Sequence, residues 1–327
     1  MAGHPVQVQS EFARLRTVVL ARSEFRAPDV LHPDDPVLRH LTPQHRHATL
    51  ALQGKNLADA DPGRQRAWEQ ERDTFRALLE RHGIEVLRPR LLTDAEKRAT
   101  GAAGYSNFFT RDPWFTVGAN VIEGALRFAH RRLEVLPSRP VLREHVLPGT
   151  AAYVAVPTPE LGDAANPDGP GPFIEGGDVL VLGTHVLVGR SGLASDDAGF
   201  AWLRKFLEPR GFTVEQVPLQ PQVLHLDCAL GLVRQGLLLV CEDRLVAGLP
   251  DALRAWDRIS VSEDEAAALA TNGLPLSSDV YVTDPAFSRI GDQLERHGVR
   301  VEYVDFAITR SFGGSFRCST QPLSRVD

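Results

Sequence analysis

Residues 176–189 read GGDVLVLGTHVLVG, two apolar runs joined by a turn at Gly183-Thr184. Aliphatic and β-branched runs flanking a short glycine-containing turn predict a β-hairpin. The pattern returns as DPWFTVGANVIEG at 112–124 and as DCALGLVRQGLLLVCED at 227–243. Each copy carries an aspartate at its opening: Asp112, Asp178 and Asp227.

A second unit also recurs. RQRAWEQERDTFRALLERHG (64–83) places Trp68, Phe75, Leu78 and Leu79 on one face of a helix, and Gly83 supplies its stop. The strand-like IEVLRP follows at once, and WLRKFLEPRGFTVEQVPL (202–219) and RIGDQLERHGVRVEYVDF (289–306) repeat helix, glycine and strand. Repeats of this mixed kind predict an α/β fold built as a pseudosymmetric assembly of hairpin-plus-helix modules, in which equivalent positions converge on a shared axis. The Pro/Gly-rich stretch 157–173 reads as a surface loop, because the same units occur on both sides of it, so one domain is expected over 1–327. Residues 31–50 hold His32, His40, His45 and His47 without metal-ligand spacing and read as an irregular loop or lid.

Composition narrows the function. Of 327 residues 43% are hydrophobic and 24% charged, which suits a well-cored enzyme. The net charge of −6 is spread along the chain, with no basic stripe for nucleic acid or an anionic membrane. No apolar run nears the roughly 20 residues of a membrane helix, and MAGHPVQVQSEFARLR lacks a signal peptide's apolar core, so a cytoplasmic location is expected. The three cysteines form no CxxC, which argues against disulfides or a zinc ribbon. Cys228 and Cys241 lie in strand-like runs and read as buried, inert thiols. Cys318 differs, standing behind a Gly-Gly pair in GGSFRCST (313–320).

Taken singly, Asp112 before a proline reads as a turn residue, Glu175 and Asp178 as a solvated turn, and His225 and Asp227 as a capped strand start. Taken together they describe a pocket, because the three aspartates hold the same place in three repeats. A thiol among carboxylates suits an ordinary cysteine peptidase badly, since the acids raise its pKa and oppose an oxyanion. It suits a guanidinium, which is planar, permanently charged and matched bidentately by carboxylates. Two aspartates could hold such a group with its carbon before the sulfur, and the Gly-Gly pair reads as room for backbone beside it. His225 could then act as acid and base, its tautomer set by a carboxylate for which Glu175 is the best candidate. Metal-dependent hydrolysis by His225, Asp227, Asp178 and Cys318 is the competing chemistry, with no HxxxH or HxH spacing behind it.

These motifs, FTRDP (Asp112), RRLE (131–134), EGGDVL (Glu175, Asp178), HLD (His225, Asp227) and GGSFRCST (Cys318), resemble in order those of the guanidino-group-modifying enzymes of the pentein fold. The resemblance implies a five-bladed α/β propeller of ββαβ modules and a covalent amidino-cysteine intermediate, with no cofactor or metal. By matched position it makes Cys318 the nucleophile, His225 the acid/base with Glu175 as partner, Asp112 and Asp227 the guanidinium clamp, Asp178 a supporting residue and Arg131 a ligand of the substrate's carboxylate. The family divides into amidinotransferases, which pass the amidino group to an amine, and arginine deiminases and dimethylarginine hydrolases, which use water. GRSGLASDD (189–197) has Leu193 where the hydrolases align an arginine, and EGALRFAHRRLEVLPSR (123–139) is similar to the amidinotransferase segment. FTRDP, EGGD and Arg317 are spelled as in deiminases. The expectation is transfer from L-arginine or a related guanidine to an amine acceptor, with a hydrolase giving citrulline as the alternative. The acceptor, the true donor and the existence of a homo-oligomer are left open.

Overall fold

The structure, a computed structural model, describes residues 4–31, 38, 41–160, 162, 163, 166 and 168–327. Apart from a two-stranded pair of Glu24–Arg26 with Tyr105–Asn107, its sheets repeat one design. In each, an antiparallel hairpin is followed by a third strand that returns parallel to the second hairpin strand. The design occurs as Trp114–Val117, Asn120–Glu123 and Ala152–Ala155; as Val179–Leu182, His185–Arg190 and Thr213–Pro218; as Leu230–Arg234, Leu237–Val240 and Asp257–Ser260; and as Leu274–Ser277, Val280–Thr283 and Arg300–Tyr303. A fifth sheet uses both ends of the chain. Thr320–Arg325 pairs antiparallel with Leu15–Leu20, which pairs parallel with Glu85–Leu87. In the order I to V, beginning with this composite sheet, these are the five blades of a pentein α/β propeller.

The helices explain the parallel return, because a crossover is needed to bring a third strand back in the same direction. Pro62–Arg81 serves blade I, Arg139–His145 blade II, Asp197–Leu207 blade III and Ser288–Arg296 blade V. Blade IV crosses over through the 3₁₀ turns Glu242–Arg244 and Asp251–Leu253. The helix-strand units read from the sequence therefore belong to blades I, III and V. The hairpins read beside them belong to II, III and IV.

Five apolar clusters occupy the seams between consecutive blades. Val19 and Leu323 meet Trp114 and Val121 between I and II. Phe115 and Ile122 meet Val181 and Val188 between II and III, and Leu187 and Val217 meet Leu230 and Leu238 between III and IV. Leu237 and Leu239 meet Tyr281 and Ile290, and Leu274 and Val282 meet Val18 and Leu20, which returns the ring to blade I. Each such aliphatic side chain contributes about 1.5–3 kcal/mol by leaving water.

Residues 157–173 connect blade II to blade III without helix or strand in their described part. The 31–50 stretch is less irregular than expected: Pro43–Leu50 is a helix, with Pro43 in its first turn and the Thr42 side chain accepting from the His45 amide at 3.3 Å. A Thr-Pro start is a helix signal that the four histidines obscured. His45 and His47 lie on that helix, and His32 and His40 lie outside the described residues. Among the described residues no helix is long and apolar enough to cross a membrane.

Candidate active site

Each blade is entered by a loop just before its first strand, and those loops meet at the centre. They carry Cys318 (I), Asp112 (II), Glu175 and Asp178 (III), His225 and Asp227 (IV) and Asn272 (V). Hydrogen bonds join each loop to its neighbour around the whole ring. The Arg111 amide donates to the Cys318 carbonyl at 3.2 Å, and the Gly177 amide to Asp112 Oδ1 at 3.1 Å. The Leu226 amide donates to Asp178 Oδ1 at 2.9 Å, and Thr271 Oγ1 to the Asp227 carbonyl at 2.8 Å. Asn272 closes the circle by accepting the Cys318 amide at 3.2 Å on Oδ1.

All six residues expected at the centre are buried, from 0% exposed at Glu175 and Asp227 to 4% at Cys318. His225 Nε2 lies 2.9 Å from Glu175 Oε2, and its Nδ1 lies 3.9 Å from Asp112 Oδ1. Burial opposes the imidazolium, yet Asp112, Glu175 and Asp178 outweigh it and lift the His225 pKa to about 10. Cys318 Sγ stands 3.8 Å from Asp227 Oδ2, and the pKa of its thiol is pushed well up by burial, Asp227 and Asp112. Asp178 is raised to about 7 by burial, against His225 and its hydrogen bonds. Its oxygens accept from the backbone amides of Ser195 and Leu226, so it fixes the loops of blades III and IV rather than facing a ligand.

Two arginines hold the acids in place. Arg131 bonds Glu134 through Nε at 3.0 Å and Asp112 through Nη2 at 2.9 Å, and its Nη1 is 3.4 Å from Glu175 Oε2. Its fork engages the protein's own carboxylates, whereas the family resemblance implied a ligand of the substrate's carboxylate. Arg317 donates through Nη1 to Asp227 Oδ2 at 2.8 Å and through Nε to Glu11 Oε2 at 3.0 Å. Burial would raise the pKa of Glu11, but Arg317 and Arg111 bring it down to about 2. The cations bonded to these acids, Arg131, Arg317 and His225, are fewer than Glu11, Asp112, Glu134, Glu175 and Asp227, and the buried Arg111 and Arg325 act on Glu11 without bonding it. Beside the thiol the strongest charges are the acids Asp227 and Asp112, where an added cation would be welcome.

Single ligand atoms of Asp112, Glu175 and His225 lie within 4.8 Å of one another, a spacing that could hold a metal ion. Arg131 already bonds Asp112 and approaches Glu175, so a guanidinium fills the electrostatic role a cation would have there. Asp178, Asp227 and Cys318, named with His225 as candidate ligands from the sequence, fall outside this group.

The glycines are spacers for the machinery itself. A Cβ on Gly177 would come within 2.6 Å of His225 Nδ1 and 2.8 Å of Asp112 Oδ1. One on Gly314 would come within 2.8 Å of Cys318 Cβ and collide with the Phe109 ring, so this glycine makes room for neighbouring side chains rather than for a ligand.

Sequence reasoning missed Asn272, Glu11 and Glu134. Asn272 sits in TNGLPL, where Asn-Gly ahead of a strand, at the spacing of the other aspartate-led hairpins, was the available signal. Nothing local marks Glu11, which becomes functional only when the chain ends pair. Cys228 and Cys241 are buried free thiols, and burial and Asp227 push the Cys228 pKa up.

No family model matches the sequence. An inosamine-phosphate amidinotransferase of Streptomyces glaucescens is 28% identical over 287 residues, covering 79% of this chain and 80% of that protein. An L-arginine:L-lysine amidinotransferase of Pseudomonas savastanoi pv. phaseolicola is 26% identical over 297 residues, 78% of each. An uncharacterized Bacillus subtilis protein is 32% identical over 153 residues, and the chain spans about half its length (52%). Among solved structures, the inosamine-phosphate amidinotransferase of Streptomyces griseus superposes with a TM-score of 0.82 at 23% identity, over 99% of this chain and 98% of that one. The dimethylarginine hydrolase of Pseudomonas aeruginosa does so with a TM-score of 0.63 at 19% identity, over 94% and 99%.

Proposed function

We propose that this chain, a member of the pentein superfamily of guanidino-group-modifying enzymes, is an amidinotransferase that moves the amidino group of L-arginine or a related guanidine to an amine. The observation that carries the reading is the central constellation: a thiol, an imidazole and carboxylates in excess of the cations bonded to them, all buried on one axis. A guanidinium entering between Asp112 and Asp227 would supply positive charge where it is short and set its carbon before Cys318 Sγ.

The chemistry then balances. As the guanidinium binds, the Cys318 thiol gives its proton to solvent, since His225 already carries one; the thiolate attacks the guanidinium carbon, forming a C–S bond, and the C–N bond to the donor breaks as His225 gives a proton to the departing amine. Ornithine leaves and an amidino-thioether remains on Cys318. The acceptor amine attacks the same carbon, His225 takes its proton, and the C–S bond breaks to return the thiolate. A His225 pKa of about 10 suits the first of these roles, since the imidazolium is present at neutral pH. Arg131 and Arg317 position the acids. For the donor's α-carboxylate we favour Arg127, whose guanidinium stacks 4.7 Å from the Phe173 ring and donates through Nε to the Ala194 carbonyl at 3.1 Å, beside Leu193. Its two Nη groups have no partner among the described residues.

Product analysis with labelled arginine and a panel of amines tests the reading. Release of ornithine that depends on the acceptor and vanishes in Cys318→Ala is expected. Citrulline and ammonia formed without any acceptor would transfer the protein to the hydrolase branch. Arg127→Gln should raise KM for arginine with little change for agmatine, which lacks the carboxylate.

A further inference from the structure

We infer that Arg72 is the buried counter-cation of the Cys318 thiolate, a positioning residue that lets the nucleophile ionise among carboxylates; this rests on reading Cys318 as the nucleophile. Arg72 lies on the Pro62–Arg81 helix and is 1% exposed. Its Nη2 donates to the Phe108 carbonyl at 2.9 Å, and its Nε and Nη1 are buried without a hydrogen-bond partner among the described residues. The neighbouring Glu71 does not bond it, because that carboxylate accepts from the amides of Ile308 and Thr309 and from Thr309 Oγ1.

A cation in this condition is costly to the fold and needs a reason. Its surroundings supply one. The segment beginning at Phe108 continues to Thr110 and Arg111, whose amides both donate to the Cys318 carbonyl. On the other side the guanidinium stands 5.1 Å from the centre of the Phe306 ring, which stacks at 4.3 Å on Phe316, two residues before the thiol. Arg72 is thus bracketed by the two segments that hold the nucleophile. The strongest charges acting on Cys318 are Asp227 and Asp112, both opposing ionisation, with the Cys228 thiol beside them. Of the other buried cations at the centre, His225 is bonded to Glu175, and Arg111 acts on Glu11 and Asp227. Arg317 bonds to Asp227 and Glu11 and is largely neutralised by them. Those acting on Arg72 are Glu71, Arg88 and Cys318, and burial holds its own pKa down to about 9. A thiolate formed at Cys318 would therefore relieve the isolated cation, and the cation would favour the thiolate.

The test is the pH dependence of Cys318 alkylation in the full chain without arginine, where the thiolate sulfur displaces iodide from iodoacetamide. Peptide mapping separates Cys318 from the other thiols. Arg72→Met, of similar length and apolar, removes an ill-paired buried charge but leaves the Phe108 carbonyl without its donor, so its melting temperature should fall by no more than a few degrees. Its Cys318 should nevertheless alkylate about tenfold more slowly at neutral pH, with the midpoint of the profile about one unit higher. Arg72→Lys, which retains the charge, should stay near wild type, and Arg72→Gln should follow Met. An unmoved midpoint in Met and Gln would overturn the inference, as would a Lys variant shifted as far as Gln or a rate loss that merely follows the melting temperature. Because no guanidine is present, a chain that shows the expected midpoints but transfers no amidino group would refute the proposed activity and leave the role of Arg72 standing.

Discussion

Replacing Asn272 by alanine opens the ring of loops at the point where blade V meets blade I. The side-chain Oδ1 accepts from the Ser315 amide at 3.1 Å and from the Cys318 amide at 3.2 Å, and the Asn272 carbonyl separately accepts the Arg317 amide at 3.2 Å. Alanine keeps the last bond and orphans two buried amides. At about 1–3 kcal/mol for each unsatisfied buried donor, the variant should lose about 2–6 kcal/mol. Unfolding entropy near 2.1 cal/mol/K per residue makes that loss equivalent to a melting temperature lower by about 3–9 °C in a chain of this length. Calorimetry at pH 7 reads the stability, and the alkylation rate of Cys318 reads the placement of the thiol. Asn272→Asp keeps the acceptor and should recover most of the melting temperature, but its added negative charge should make the thiol harder to ionise. A wild-type melting temperature and alkylation rate in Asn272→Ala would refute the view that this side chain holds the nucleophile's turn.

Gly177→Ala should retain a folded spectrum and lose nearly all activity, because the added carbon lands within 2.6 Å of His225 Nδ1; turnover beside circular dichroism checks it. Glu175→Gln should bring the His225 pKa down from about 10, readable as an earlier alkaline fall in the pH-activity profile and in an imidazole NMR titration. With a His225 pKa raised above its unfolded value near 6.5, the stabilisation is full below that value and is lost as pH rises through about 10. In Glu175→Gln the loss should still begin near 6.5 but be smaller and complete at a lower pH, measured as melting temperature against pH. Prolonged chelation should leave turnover unchanged, since Arg131 already serves Asp112 and Glu175; loss on EDTA with recovery on a divalent metal would count against this.

Sequence alone determined the repeating module, and with it the fold class. Period-two apolar runs around Gly turns and 3.6-residue periodicity stopped by glycine are local signals, read from residues within one module. The aspartates at the hairpin openings were legible for the same reason, as equivalent positions in equivalent units. The sequence could not supply the ring's closure. Blade I is assembled from Leu15–Leu20 and Thr320–Arg325, residues about 300 apart in the chain, and a strand that finds its partner across the whole chain has no local signature. For that reason Glu11 stayed invisible until Arg317 reached it, and Asn272 looked like an ordinary turn residue until Cys318 arrived beside it.

Arg131 shows the same divide most sharply. Its sequence motif placed it near the centre, but only the tertiary structure decided what its guanidinium would bind. Three carboxylates from Asp112, Glu134 and Glu175 surround it there, and they engage most of its donors. Composition and spacing name the charges a site contains. Which charges neutralise one another, and which remain for a substrate, is set by distances of a few ångströms that exist only in the folded chain.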